Sequence, residues 1–137
     1  MITMKKLIIL LSFIPTFLYC QNSTTYKEFN AGIYLGEDIG VFPGASFLWG
    51  KTIYYENNTL LDYEAGIAFP TLATAKVGLG IGNNNNSAII GLRPWPTSLY
   101  FQYTINNKSL VSIEFMTPYD WSPGAKWPII LNYGYRW

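Results

Sequence analysis

The sequence predicts an all-β protein: an eight-stranded antiparallel up-and-down transmembrane β-barrel that follows an N-terminal signal peptide. Three observations carry this expectation. Apolar residues alternate with polar or small ones through eight segments, the period of two that marks a strand with unlike faces. The segments are joined by two chemically distinct kinds of connection that alternate along the chain. The composition is 50% hydrophobic and 18% aromatic but only 12% charged, whereas a soluble domain carries about a quarter charged residues. A length of 137 residues allows one domain.

Residues 1–20 read as a signal peptide and 21–137 as the barrel domain. Lys5 and Lys6 form a basic start, and Leu7 to Leu18 is a 12-residue apolar run, shorter than the ~20 residues of a transmembrane helix. Cleavage is expected after Cys20, which makes Gln21 the new N-terminus. The competing reading is a lipidated Cys20, but Tyr19 stands where lipoprotein motifs carry a small residue. The remaining chain has five Lys and two Arg against eight acids, a net charge of minus one.

Eight alternating segments follow in order. Phe29, Ala31, Ile33 and Leu35 form the first ladder, and the stretch from about Ala45 to Tyr55 is the second strand. The third sets Leu61, Tyr63, Ala65, Ile67 and Phe69 against Asp62, Glu64, Gly66 and Ala68. In the fourth, Ala73, Ala75, Val77, Leu79 and Ile81 oppose Thr74, Lys76, Gly78, Gly80 and Gly82. Shorter ladders complete the set: Ala88, Ile90, Leu92; Leu99, Phe101, Tyr103, Ile105; Val111, Ile113, Phe115; and Ile129, Leu131, Tyr133, Tyr135, Trp137. Strands five to seven are short of the ~9–11 residues usual for a membrane-crossing strand.

The connections sort by end. Those after the second, fourth and sixth strands are Asn-rich, Glu56 to Thr59, Asn83 to Asn86 and Asn106 to Lys108, as tight hairpins with left-handed backbone require. The others carry Pro43, Pro70, Pro94 with Pro96, and Pro118, Pro123 and Pro128, the first and last being longest at about eight and twelve residues. Alternate connections of a meander lie at one end, so the two ends of the barrel differ.

Charge placement predicts the facing. Glu28, Asp62, Glu64, Lys76, Arg93, Glu114 and Arg136 all fall opposite the apolar ladders, and only Lys27 and Lys51 do not. The opposite face is otherwise mostly Gly, Ala, Ser and Thr, with a few larger residues, which suits a narrow packed interior. The ladder face is then the lipid face, and the seven charges form a polar network in the lumen. A Gly50 bulge is one way Lys51 would leave the lipid side. Trp49, Trp95, Tyr119, Trp121 and Trp127 belong to an aromatic girdle or rim. A three-residue turn at Phe69 to Thr71 places Glu64 opposite Lys76, and closure of the last strand on the first brings Glu28 near Arg136. The Gly78-x-Gly80-x-Gly82 run is explained by inward glycines making room for bulky neighbours, and Gly91 does the same for Tyr100.

With these features the chain resembles the small eight-stranded outer-membrane β-barrels of Gram-negative bacteria, over essentially all of residues 21–137. The terminal Tyr133-x-Tyr135-x-Trp137 looks like the aromatic-ended last strand that this family's assembly machinery recognises, and Gln21 after the cut resembles exported proteins of the Bacteroidota. The resemblance implies an outer-membrane location, with membrane lipid and the barrel assembly machinery as partners. Eight strands enclose a lumen just wide enough to be filled by side chains, so no solute pore is expected.

The inventory excludes whole classes of chemistry. There is no histidine, hence no His-dependent hydrolase, His-ligated metal or histidine switch, and one cysteine makes no internal disulfide. No basic block indicates nucleic acid. No catalytic, cofactor-binding or metal-ligating residue is assigned. Asn22, Asn57, Asn85 and Asn107 begin Asn-x-Ser/Thr triplets, which matter only in a eukaryotic secretory pathway. The leading expectation is a non-enzymatic structural or surface-interaction barrel of the cell envelope. The alternative is a periplasmic or secreted soluble barrel of reversed facing, its aliphatic ladders lining a cavity for a small apolar ligand.

Overall fold

A computed structural model describes residues 22–37, 40–118 and 125–137. The expected leader, Gln21 and the rim residues Tyr119 and Trp121 lie outside the described residues. Eight strands, β1 (Asn22–Gly36), β2 (Gly40–Tyr54), β3 (Thr59–Phe69), β4 (Leu72–Gly82), β5 (Ser87–Trp95), β6 (Ser98–Ile105), β7 (Ser109–Met116) and β8 (Ile129–Arg136), form one closed barrel in sequence order. Each pairs antiparallel with its chain neighbours, and β8 closes on β1 from Glu28↔Arg136 to Leu35↔Ile129. Closure leaves no strand edge exposed along this seam.

The asparagine turns lie together at one end. Asn58, Asn106 and Asn107 have φ of 60°, 52° and 52°, a region Asn tolerates better than most residues. The turns also brace one another: Gly82 N donates to Asn58 O, Asn107 N to Asn85 O, and Asn106 N to the Asn86 side chain. At the opposite end the sequence expectation needs correction. The first connection is not an eight-residue loop, because β2 begins at Gly40 and Pro43 lies inside it, paired with Ile33. Pairing of β2 with β3 stops at Ala45↔Phe69, so Pro43 sits where β2 has become an edge strand and a missing N–H is tolerated.

There is no bulge at Gly50 either. Its register runs unbroken through Tyr26↔Gly50 and Gly50↔Glu64, and Lys51 keeps the ladder's outward parity. The Tyr26 ring explains the glycine: a Cβ at position 50 would lie 2.3 Å from Tyr26 Cζ. The irregularity falls instead between β4 and β5, where pairing steps from Val77↔Leu92 to Ala75↔Trp95. Two residues, Arg93 and Pro94, there oppose one, Lys76. Proline marks the break because it has no ladder donor. The extra residue changes the parity of the strand end, so Arg93 points inward while Trp95, two residues on, is outside and 66% exposed.

Facing follows the ladders. Leu79 and Ile81 are 60% and 65% exposed, while Glu28 and Glu114 are fully buried. The reversed facing required by the ligand-carrying alternative is not observed, since the aliphatic ladders lie on the outside. Trp95 and Trp127 are exposed toward the proline-rich end. Trp49 and the C-terminal Trp137 are exposed toward the other, bridged by Phe47 with ring centroids 4.8 and 5.7 Å away.

Candidate functional site

Inside the barrel, Leu60, Ile89 and Tyr100 pack as an apolar cluster with Tyr54 against it. Glycines make this possible: a Cβ at Gly78 would meet the Tyr100 hydroxyl at 2.5 Å, and one at Gly91 would meet the Tyr100 ring at 2.6 Å. Gly78 and Gly91 thus make room for Tyr100, as the sequence predicts, whereas a Cβ at Gly80 or Gly82 would first meet backbone, the Ala88 or Asn86 carbonyl oxygen, each at 2.3 Å.

Around this cluster all seven lumen charges of the sequence reading are buried and joined in one network. Arg136 Nε lies 2.5 Å from Glu28 Oε2, and its Nη2 lies 3.3 Å from Asp62 and 3.9 Å from Glu64. Lys76 Nζ bridges Glu64 (3.3 Å) to Glu114 (3.6 Å), and Arg93 Nη2 reaches Glu114 at 2.7 Å. Glu64 and Lys76 are direct partners across β3 and β4, as the Phe69 to Thr71 turn requires. The charges are four acids and three bases.

Neutral side chains that the sequence reading did not single out complete the network. Tyr26 donates to Asp62 (2.9 Å) and lies 3.1 Å from Glu64, while the Arg136 guanidinium stacks 3.8 Å from the Tyr26 ring centroid. Thr52 donates to Asp62, Asn30 to Glu28, and Ser98 and Asn132 to Glu114. These share the inward parity of their strands, which is the signal by which they are found. Hydrogen bonds of this kind offset part of the several kcal/mol it costs to take each charge out of water.

The expectation of a lumen filled throughout holds only for the part that the apolar cluster and the charges occupy. Toward the proline-rich end a cavity of about 410 Å³ opens, its inner wall formed by Gly32, Gly44, Ser46 and Ala68. Tyr34, Phe42, Met116 and Ile130 surround it, with Arg93 and Asn132 at its floor. Small residues on β1, β2 and β3 cannot reach across the space that larger ones on the same parity fill at the other end.

Outside, Tyr133, Tyr135 and Trp137 project outward from the last strand, and Trp49, Trp95 and Trp127 are likewise exposed. Lys27 and Lys51 line a shallow groove with Trp49, Tyr63 and Trp137. No family model, curated protein or solved structure matches the chain.

Proposed function

We propose that this chain is a non-enzymatic β-barrel of the outer membrane, with a structural or surface-interaction role in the cell envelope. The observation that carries the reading is the inverted distribution of residues: charged side chains are buried in the lumen, and large apolar ones such as Ile67, Leu79, Ile81, Leu92 and Tyr133 are exposed. A patch of exposed apolar surface on a soluble monomer rarely exceeds a few hundred Å², whereas a barrel in lipid must present such a band on every strand. Burial of the seven charges argues against an open water-filled pore.

In this reading the asparagine turns and the chain end face the periplasm, the proline-rich connections face outward, and the Trp residues sit at the two interfaces. Lipid is the partner of the ladder face. The aromatic strand Tyr133, Tyr135, Trp137 is the segment offered to the assembly machinery. Cell fractionation tests this: the protein is expected in the membrane pellet, released only by detergent. Recovery in periplasmic fluid or culture medium would reject it. A second check is electrophoresis, in which unboiled protein should migrate differently from boiled protein because every strand is paired.

A further inference from the structure

Packed interiors contain few voids larger than a water molecule, yet this barrel is tightly filled at one end and holds a cavity of about 410 Å³ at the other. We propose that this cavity is a binding site for one small, electrically neutral amphiphile, a single short apolar chain carrying a hydrogen-bond acceptor head. Its volume lies within the ~300–1,000 Å³ of ordinary small-molecule sites. The walls are Tyr34, Phe42, Phe69, Met116 and Ile130, which suit a hydrocarbon chain and offer no second charge.

The floor selects the head group. Among the described residues, Arg93 is the one charged residue in the lining. Its guanidinium has five N–H donors. Glu114 engages Nη2 and Nε is buried away from the cavity, but the side chain keeps 9% of its surface open, so donor capacity exceeds what Glu114 takes up. A carbonyl or ether oxygen satisfies such a donor without adding charge. An anion would add to an interior that already holds four acids against three bases, and a cation would be repelled by Arg93. Both also carry a large desolvation cost.

The cavity opens sideways. Beyond Ala45↔Phe69 the β2 strand pairs only with β1, and the outward-facing Pro43, Ala45 and Phe69 join the lining there. The Phe42 and Phe69 rings stack across this seam at 6.0 Å. The opening therefore meets the apolar outer face, and the occupant is drawn from amphiphiles dissolved in the membrane. That last step rests on the membrane reading, whereas the cavity and its selectivity need only the closed barrel.

Met116 is the sole methionine in residues 21–137 and lines the cavity, so its methyl group is a natural reporter. Protein labelled with methyl-¹³C methionine, in phosphatidylcholine nanodiscs, is titrated separately with methyl decanoate, decanoate and decane. The Met116 methyl signal, identified by its loss in Met116→Leu, should shift saturably with methyl decanoate and bind decanoate at least about tenfold more weakly. Decane, which leaves the Arg93 donors unanswered, should also bind more weakly. Ala68→Phe, which fills the cavity from its wall, should abolish the shift while the unboiled gel band is retained. If that variant fails to fold, Gly44→Leu serves, since a Cβ there meets only Phe69 O at 3.2 Å.

Three results would overturn the proposal: no saturable shift, equal non-saturating shifts from all three probes that persist in the filled variant, or decanoate binding as tightly as its ester. Should fractionation place the protein outside the membrane, the same titration in buffer without lipid still tests the cavity, so the two readings fail separately.

Discussion

Replacing Arg136 by methionine is the sharpest test of the buried network, because this one side chain answers several acids at once. Its guanidinium holds Glu28 at 2.5 Å and Asp62 at 3.3 Å, and it stacks on Tyr26 at 3.8 Å. Methionine keeps much of the volume but strands a fully buried Glu28 with Asn30 as its remaining donor. Breaking a buried pair in this way costs about 3 to 5 kcal/mol. Glu28→Gln is milder, since Arg136 retains Asp62, and should cost about 1 to 3 kcal/mol. In the double variant the stranded carboxylate is gone, while Asp62 keeps Thr52 and Tyr26 as donors. The double loss should therefore fall short of the sum of the singles by about 2 kcal/mol, within the range for contacting residues. Reversible urea unfolding in lipid vesicles, followed by tryptophan fluorescence, measures all three variants. The exposed Lys126–Glu37 pair at the rim is the control and should show no measurable coupling. A coupling below about 0.5 kcal/mol for Arg136 and Glu28 is what a solvated pair would give, and it would refute the dry, joined lumen.

Three further outcomes follow from the same geometry. Gly78→Ala should destabilise by about 1 to 3 kcal/mol through overpacking, and adding Tyr100→Phe should recover part of that loss because the Tyr100 hydroxyl makes the nearest contact, at 2.5 Å. Gly91→Ala should not be rescued likewise, since its new Cβ would lie 2.3 Å from the Val77 carbonyl oxygen; denaturation of the single and double variants separates the cases. On the outer face, Val77→Arg near the middle of β4 should cost about 2 to 4 kcal/mol in a bilayer, and a neutral effect on vesicle unfolding would count against lipid contact. Lys51→Leu, nearer the asparagine turns, should change stability by about 0 to 1 kcal/mol if the lysine sits at the interface. A gain well above that would put it at the bilayer midplane.

Alternation in this chain was strong enough to be read directly, because a strand with one apolar and one polar face repeats every two residues whatever its neighbours do. That accounts for the eight strands, the inward side of Glu28 and Arg136, and the direct facing of Glu64 and Lys76 across a short turn. The asparagine hairpins were legible for a local reason too, since left-handed backbone at Asn58, Asn106 and Asn107 is a preference of the residue itself. What alternation does not carry is how far a strand continues and where its parity breaks. Extension of β2 through Pro43 depends on β1 being present to pair with, and the outward turn of Trp95 depends on two residues of β5 meeting one of β4. The lumen's division into a packed, charged half and a cavity is likewise tertiary. Gly32, Gly44, Ser46 and Ala68 come from three strands, and only barrel closure brings their missing side-chain volume to one place above Arg93.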